Sequence, residues 1–168
     1  EIAKGVSGET GERFFHALVE QLARMLGADM ALIGLIVGPD TARISTMAAV
    51  IDSVSTDNFV YDLECTPCGI AITNGECFYA SDIQTLFPKD VYLVGLNLQG
   101  YVGVALRDSQ GRTLGLMSVL FRRPIENGRM ALSLLRIFAT RASAELERQC
   151  ADESLRRSEE QLRQALKM

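Results

Sequence analysis

Apolar and polar positions along this chain follow two periods, and the switches between them divide it into elements. Residues 12 to 26 set Phe14, Phe15, Leu18, Leu22, Met25 and Leu26 at helical spacing, with Gly27 as a stop signal. This predicts an amphipathic helix packed on another layer. Residues 29 to 37 (DMALIGLIV) and 43 to 51 (RISTMAAVI) are apolar runs of strand length on either side of Gly38-Pro39-Asp40, and they predict a hairpin. A short strand over 59 to 63 follows. Thr66-Pro67 then opens a helix that closes at Asn74-Gly75, and a further strand is expected near Cys77 to Ala80. Residues 85 to 96 read as irregular or briefly helical around Pro88. The strongest hairpin signal pairs GYVGVALRD (100 to 108) with RTLGLMSVLFR (112 to 122) across Ser109-Gln110-Gly111, where Gly111 is free to take a positive φ. These two strands are expected at the centre of the sheet.

From Gly128 to Met168 the pattern stays helical without a proline, far longer than an ordinary globular helix. Its first part, with Met130, Leu132, Leu134, Leu135, Ile137, Phe138, Ala142 and Leu146, is apolar enough to pack beside the first helix. Beyond Leu146 the apolar residues thin out. Ion pairs are expected there between Asp152 and Arg156, Glu153 and Arg157, and Glu159 and Arg163. Ala151, Leu155, Ser158, Leu162 and Ala165 keep a 3,4 spacing, which predicts a short coiled-coil seam and a homodimer. The competing expectation is a solvated helical tail.

With 168 residues, 48% of them hydrophobic, the chain supports one substantial core and not two. A formal charge of −4 with dispersed basic residues disfavours nucleic acid as a partner. No apolar run approaches the ~20 residues that span a bilayer, so no membrane contact is expected of this segment. Four cysteines without regular spacing predict reduced thiols and a cytoplasmic location. The start at Glu1 and the end within a helical pattern lead to the expectation of a piece of a longer protein: a leading tail over 1–10, a domain over 11–148 and a linker helix over 149–168.

The order of elements, with Thr66-Pro67-Cys68 before a helix, Ser81-Asp82-Ile83 after a strand, and Tyr101-Val102-Gly103-Val104-Ala105-Leu106 followed by Gly115-Leu116, resembles a GAF domain from a bacterial signalling protein. The resemblance covers residue 11 to about 148. It implies an α+β sandwich: a central antiparallel β-sheet of five or six strands, the first and last helices on one face, and residues 58 to 96 folded over the other as a pocket lid. The segment from Glu153 to Arg163 is similar to linker helices that lead into PAS, GGDEF or histidine-kinase modules, which implies cyclic di-GMP or two-component signalling. The function so implied is that of a non-catalytic sensor that binds an unidentified small molecule, or dimerises, or both, and signals through its last helix; the alternative is a purely structural dimerisation module with no ligand.

Candidate chemistry centres on Tyr61 to Asp82. Cys65-Thr-Pro-Cys68 has C-x-x-C spacing, and a cysteine at a helix N-terminus gains thiolate character from the exposed N–H groups. A closed zinc site needs about four ligands, and only Cys77 stands near, since the lone His16 belongs to the first helix, where a structural role is expected. Packing is the expected role of Cys68, and Cys65 occupies a position where sequences like it often have glycine. Free methionine sulfoxide reductases share the GAF fold and use a pocket cysteine, but their His-Ile-Ala-Cys motif is missing from GYVGVALRD. The Cys-His pair of bilin-binding members and the Asn-Lys, Phe, Asp-Glu signature of cyclic-nucleotide binders are likewise missing. No cofactor is named by the sequence. The pocket candidates are Cys68, Ile72, Tyr79, Phe87, Tyr92 and Tyr101, aromatic walls with a few polar handles. Asp82 is expected to cap backbone N–H groups, and Arg107, Arg122 and Arg123 to make exposed salt bridges near strand ends.

Overall fold

The computed structural model describes residues 11–167, so the expected tail over 1–10 lies outside the described residues. Helix α1 (Glu12–Leu26) leads through a left-handed Gly27 cap into β1 (Met30–Val37) and β2 (Arg43–Ile51), the first hairpin. Strands β3 (Val54–Ser55) and β4 (Val60–Asp62) share the outer edge of β2, beside Val50–Ile51 and Arg43–Ser45 respectively. Then come α2 (Pro67–Asn74), β5 (Glu76–Tyr79), and the short helices α3 (Ile83–Leu86) and α4 (Val91–Gly95). The second hairpin is β6 (Gly100–Arg107) and β7 (Thr113–Phe121), and α5 (Gly128–Lys167) closes the chain. Only β3 has no counterpart in the sequence reading, because two residues are too few to show a period.

All strand pairs are antiparallel, in the order β2-β1-β7-β6-β5 with β3 and β4 outside β2, seven strands among the described residues. Alternation sorts the side chains into two cores. Ala31 and Ile33 of β1, Met117 and Val119 of β7, and Val102 and Val104 of β6 meet Phe15, Leu18 and Leu22 of α1 and Leu135, Phe138 and Ala142 of α5. Met30, Leu32, Leu116, Leu120 and Tyr101 face the other way, against α2, α3 and α4. Strand β2 carries an extra residue at Met47, where the pairing jumps from Ile33↔Ala48 to Gly34↔Thr46. That bulge exchanges its faces, so Ile44 and Ala49 both belong to the lid-side core although their numbers differ in parity. The fold is therefore the α+β sandwich expected.

Several local expectations need correction. Met25 is 54% exposed, because the buried stripe of α1 ends where the chain turns at Gly27. Met130 and Ile137 of α5 are exposed rather than packed on the sheet. Asp152 pairs with Arg148 instead of Arg156, and Arg163 with Glu160 instead of Glu159, whereas Glu153–Arg157 forms as expected. Asp82 does not cap through its side chain: it takes a left-handed backbone (φ 62°), its carbonyl accepts the N–H groups of Thr85 and Leu86, and its carboxylate accepts the Ser81 hydroxyl. Arg122 is a tie and more than a surface pair. Its guanidinium grips Asp52 and donates to the Leu96 carbonyl at 2.9 Å. Arg123 donates to the Gly27 carbonyl and lies over the Phe121 ring, and among the described residues Arg107 makes no ion pair.

Candidate functional site

Local capping fixes where the lid meets the sheet. Thr66 stands at the N-cap of α2, its hydroxyl accepting the Gly69 N–H at 3.1 Å and donating to the Leu63 carbonyl at 2.7 Å, while Pro67 takes the first helical position. This aims Cys68 at the sheet. Its sulfur accepts hydrogen bonds from the hydroxyls of both Tyr61 and Tyr101, each at 3.2 Å. Tyr101 is fully buried, its ring lying along β6 over Gly103, the next residue on that face.

Tyr61, Cys68 and Tyr101 help to line a cavity of about 30 Å³, together with Met30, Leu32, Phe59, Asp90, Tyr92 and Leu98. Room for about one water remains, against the ~300–1,000 Å³ of ordinary ligand pockets. Phe59 stacks on Tyr92 with centroids 5.0 Å apart, and Tyr61 meets both rings edge-on or tilted. Asp90 caps α4 by accepting the Tyr92 N–H at 3.1 Å. A larger concavity of about 520 Å³ lies elsewhere, between β6 and α5, with Arg107, Ser143 and Glu147 in its walls. It is a shallow groove open to solvent, whereas the small cavity has convergent polar groups in an apolar wall, the feature of a binding site.

Of the six pocket residues read from the sequence, Cys68, Tyr92 and Tyr101 border this cavity and Ile72, Tyr79 and Phe87 do not. The latter three belong to the same apolar cluster, and Tyr79 packs edge-on against Phe87 at 5.5 Å. The sequence reading missed Phe59, Tyr61 and Asp90. A signal existed for each: Phe59 and Tyr61 are two apart in a predicted strand and so share a face, and Asp90 precedes an apolar helical turn in the position of a cap.

The thiols are held protonated. Burial pushes Cys68 up to about 11, against the lowering effect of the two phenols, and pushes Cys77 up to about 12, with the Cys68 thiol adding to it. Desolvation therefore outweighs whatever the α2 N-terminus offers a thiolate. Cys77 donates to the Pro67 carbonyl at 3.5 Å, and Cys65 is exposed with a left-handed backbone (φ 61°), so the C-x-x-C pair is split between surface and core. Burial also raises Tyr61 and Tyr101 well above the usual phenol range, and raises the Asp90 carboxyl. No cluster of three or more His, Cys, Asp or Glu suited to a metal is found among the described residues, and His16 has its buried Nδ1 unpartnered on α1.

A sheet with paired helices on one face and a lid over a polar-tipped cavity on the other defines the class of protein, an α+β module. The GAF domain model matches residues 10–146, and the chain belongs to the GAF domain family. Solved structures agree on the fold. The blue-light-absorbing form of the Thermosynechococcus elongatus PixJ GAF domain superposes with a TM-score of 0.69 at 14% identity, covering 88% of this chain and 90% of that one. The GAF domain of an Acinetobacter phosphoenolpyruvate-protein phosphotransferase gives 0.66 at 15%, covering 91% and 92%. Residues 122 to 287 of a methyl-accepting chemotaxis protein give 0.64 at 19%, covering 88% and 96%. No curated protein matches the sequence significantly. Among the described residues, no helix is long and apolar enough to cross a membrane.

Proposed function

We propose that this domain is a non-catalytic regulatory sensor: a small molecule entering the lid cavity alters the lid, and β5 passes the change to α5. The observation that carries this reading is the two-faced character of β5. Cys77 and Tyr79 pack with the lid-side core, while Glu76 makes a bidentate pair with Arg136 of α5 at 2.6 and 2.8 Å. On the same face as Glu76, the Phe78 ring lies where any side chain at Gly128, the first residue of α5, would stand. A shift of α2, joined to β5 at Gly75, therefore pulls on α5 at two points. Coupling requires a ligand that favours one arrangement of the lid over the other.

Beyond Leu146 the signal would travel on an exposed helix. Met130, Ile137, Ala144, Ala151, Ser158 and Ala165 recur every seven residues, with Leu155 and Leu162 flanking the distal half. Ile137 is 59% exposed and Leu155 61% exposed, so the row offers a second copy a seam far longer than the tail alone. Dimerisation along it, a cytoplasmic location, and a PAS, GGDEF or kinase module following α5 belong to this reading. A thiol enzyme akin to free methionine sulfoxide reductase is disfavoured by the protonated state of Cys68 and Cys77.

The 30 Å³ cavity favours a second reading, in which the protein's own side chains fill the pocket and the domain only dimerises. Hydrogen exchange separates the two. A small molecule that binds and changes exchange in both 83–98 and 128–167 supports the sensor, whereas binding with no change in 128–167 refutes transmission. Failure of a broad metabolite screen to find a binder, with an intact dimer, favours the structural reading.

A further inference from the structure

The polar atoms of the lid cavity are almost all acceptors. Both phenolic protons are committed to Cys68. What faces the cavity is the remaining lone-pair capacity of the Tyr61 and Tyr101 oxygens and the carboxylate of Asp90. Of the lining side chains, only the weak S–H of Cys68 and the Tyr92 hydroxyl remain as donors. Among the described residues, no Lys, Arg or His lines the cavity and Asp90 pairs with no cation. The three rings of Phe59, Tyr61 and Tyr92 stand beside it, and aromatic faces attract cations. Asp90 also raises the cost of ionising Tyr61 and Cys68, so its field reaches both.

We infer that the lid cavity recognises a primary ammonium group, its N–H bonds received by the Asp90 carboxylate and the Tyr61 and Tyr101 oxygens, with its stem passing Phe59 and the exposed Tyr92. The inference rests on the sensor reading and names its ligand class. The free volume suits it: an ammonium head is close to water in size, and the cavity as it stands admits about that much. Phosphates, carboxylates and nucleotides meet a like charge and a wall of mostly acceptors, so the same wall disfavours them.

The test uses the full chain, with n-propylammonium as probe, propan-1-ol as its neutral counterpart and propionate as the anion, read from the methyl resonances of Leu93, Leu98 and Leu120. For so small a probe, saturation is expected at roughly 0.1–10 mM. Propylammonium should bind about tenfold or more tighter than propanol, the margin of a charge-assisted hydrogen bond. Asp90→Asn, which keeps the α4 cap because Asn caps as well as Asp, should remove that preference without lowering the melting temperature. Tyr101→Phe should weaken the amine more than the alcohol. Equal affinity for amine and alcohol, preference for propionate, an unaltered preference in Asp90→Asn, or no methyl shift with the amine overturns the inference. A neutral or anionic ligand that binds there and alters exchange in α5 overturns the ammonium assignment alone. An amine that shifts the lid methyls and leaves 128–167 unchanged supports the assignment and refutes transmission.

Discussion

Replacing Gly103 by alanine should damage the site from a position that touches no ligand. A Cβ at Gly103 would meet the Tyr101 ring at 2.7 Å (Cε1) and 2.8 Å (Cζ) and would also contact its hydroxyl oxygen. The ring is rigid and fully buried, so it cannot step aside within its own rotamer. Overpacking of this kind costs about 1–3 kcal/mol. Losing the Tyr101–Cys68 hydrogen bond adds about 0.5–1.5 kcal/mol. Against this, alanine in a strand recovers about 0.5–1 kcal/mol of backbone entropy relative to glycine. The net destabilisation is about 1–3 kcal/mol, or a fall in Tm of roughly 3–10 °C for a domain of this size. Urea unfolding of Gly103→Ala is the assay, repeated in a Tyr101→Leu background, where the atoms that clash are gone. There the alanine should be neutral or stabilising, giving a coupling energy of about 2 kcal/mol. Equal costs in the two backgrounds, within about 0.5 kcal/mol, would refute the claim that Gly103 exists to let Tyr101 lie on the sheet.

Three further outcomes follow from the same geometry. At pH 8 a thiol reagent should modify exposed Cys65 and Cys150 quickly, and Cys68 and Cys77 only on unfolding, since burial holds the latter pair at about 11 and about 12; rapid native labelling of either would contradict the protonated site. Cys68→Ala should cost about 2–4 kcal/mol because two phenolic donors lose their acceptor, and Cys68→Ser about 1 kcal/mol because an acceptor remains; chemical unfolding checks that order, and a harmless alanine would sink it. The Asp90 carboxyl has a folded pKa above its usual 3.8, so the folded state holds the proton more tightly, and stability falls as pH rises through that window and stays reduced above it. Asp90→Asn removes this slope, and its advantage in Tm should therefore be larger at pH 7 than below pH 4; the opposite order would show that the carboxylate is not desolvated.

Much of the fold was legible because its elements are periodic and their ends are marked. The helix from Pro67 to Asn74 was readable to the residue, since Thr66, Pro67 and Gly75 are all boundary signals. What escaped depended on information outside the local window. The Met47 bulge leaves no mark in RISTMAAVI, yet it decides which face Ile44 and Ala49 share. The exposure of Ile137 on an otherwise apolar helix depends on where α5 lies relative to the sheet, which periodicity cannot give. Half of the pocket residues named from the sequence lie off the cavity for a similar reason. Tyr79 and Phe87 have the right chemistry and pack on each other, whereas nothing local sets Asp90 apart from the other acidic residues found at turns.

The cysteine cluster that draws the eye in the sequence turns out to organise the site by accepting bonds. A buried sulfur that takes two phenolic hydrogen bonds orients both oxygens toward one small space and leaves their lone pairs facing it. Thiolate chemistry would need the opposite surroundings, with cations or water in place of apolar side chains and a nearby carboxylate. The same desolvation that silences the thiol raises Asp90, so a cation arriving there meets a carboxylate that pairs with no other cation among the described residues. Closure of the cavity to about 30 Å³ then sets the energetic terms: any ligand larger than its polar head must displace α4, and part of its binding energy goes into that displacement. Arg122 holds the end of α4 through the Leu96 carbonyl, which ties the cost of opening the lid to the Asp52 pair. A ligand that moved the lid would have to strain or break that tie, and in the proposed sensor this differential cost would let occupancy be read on the far side of the sheet.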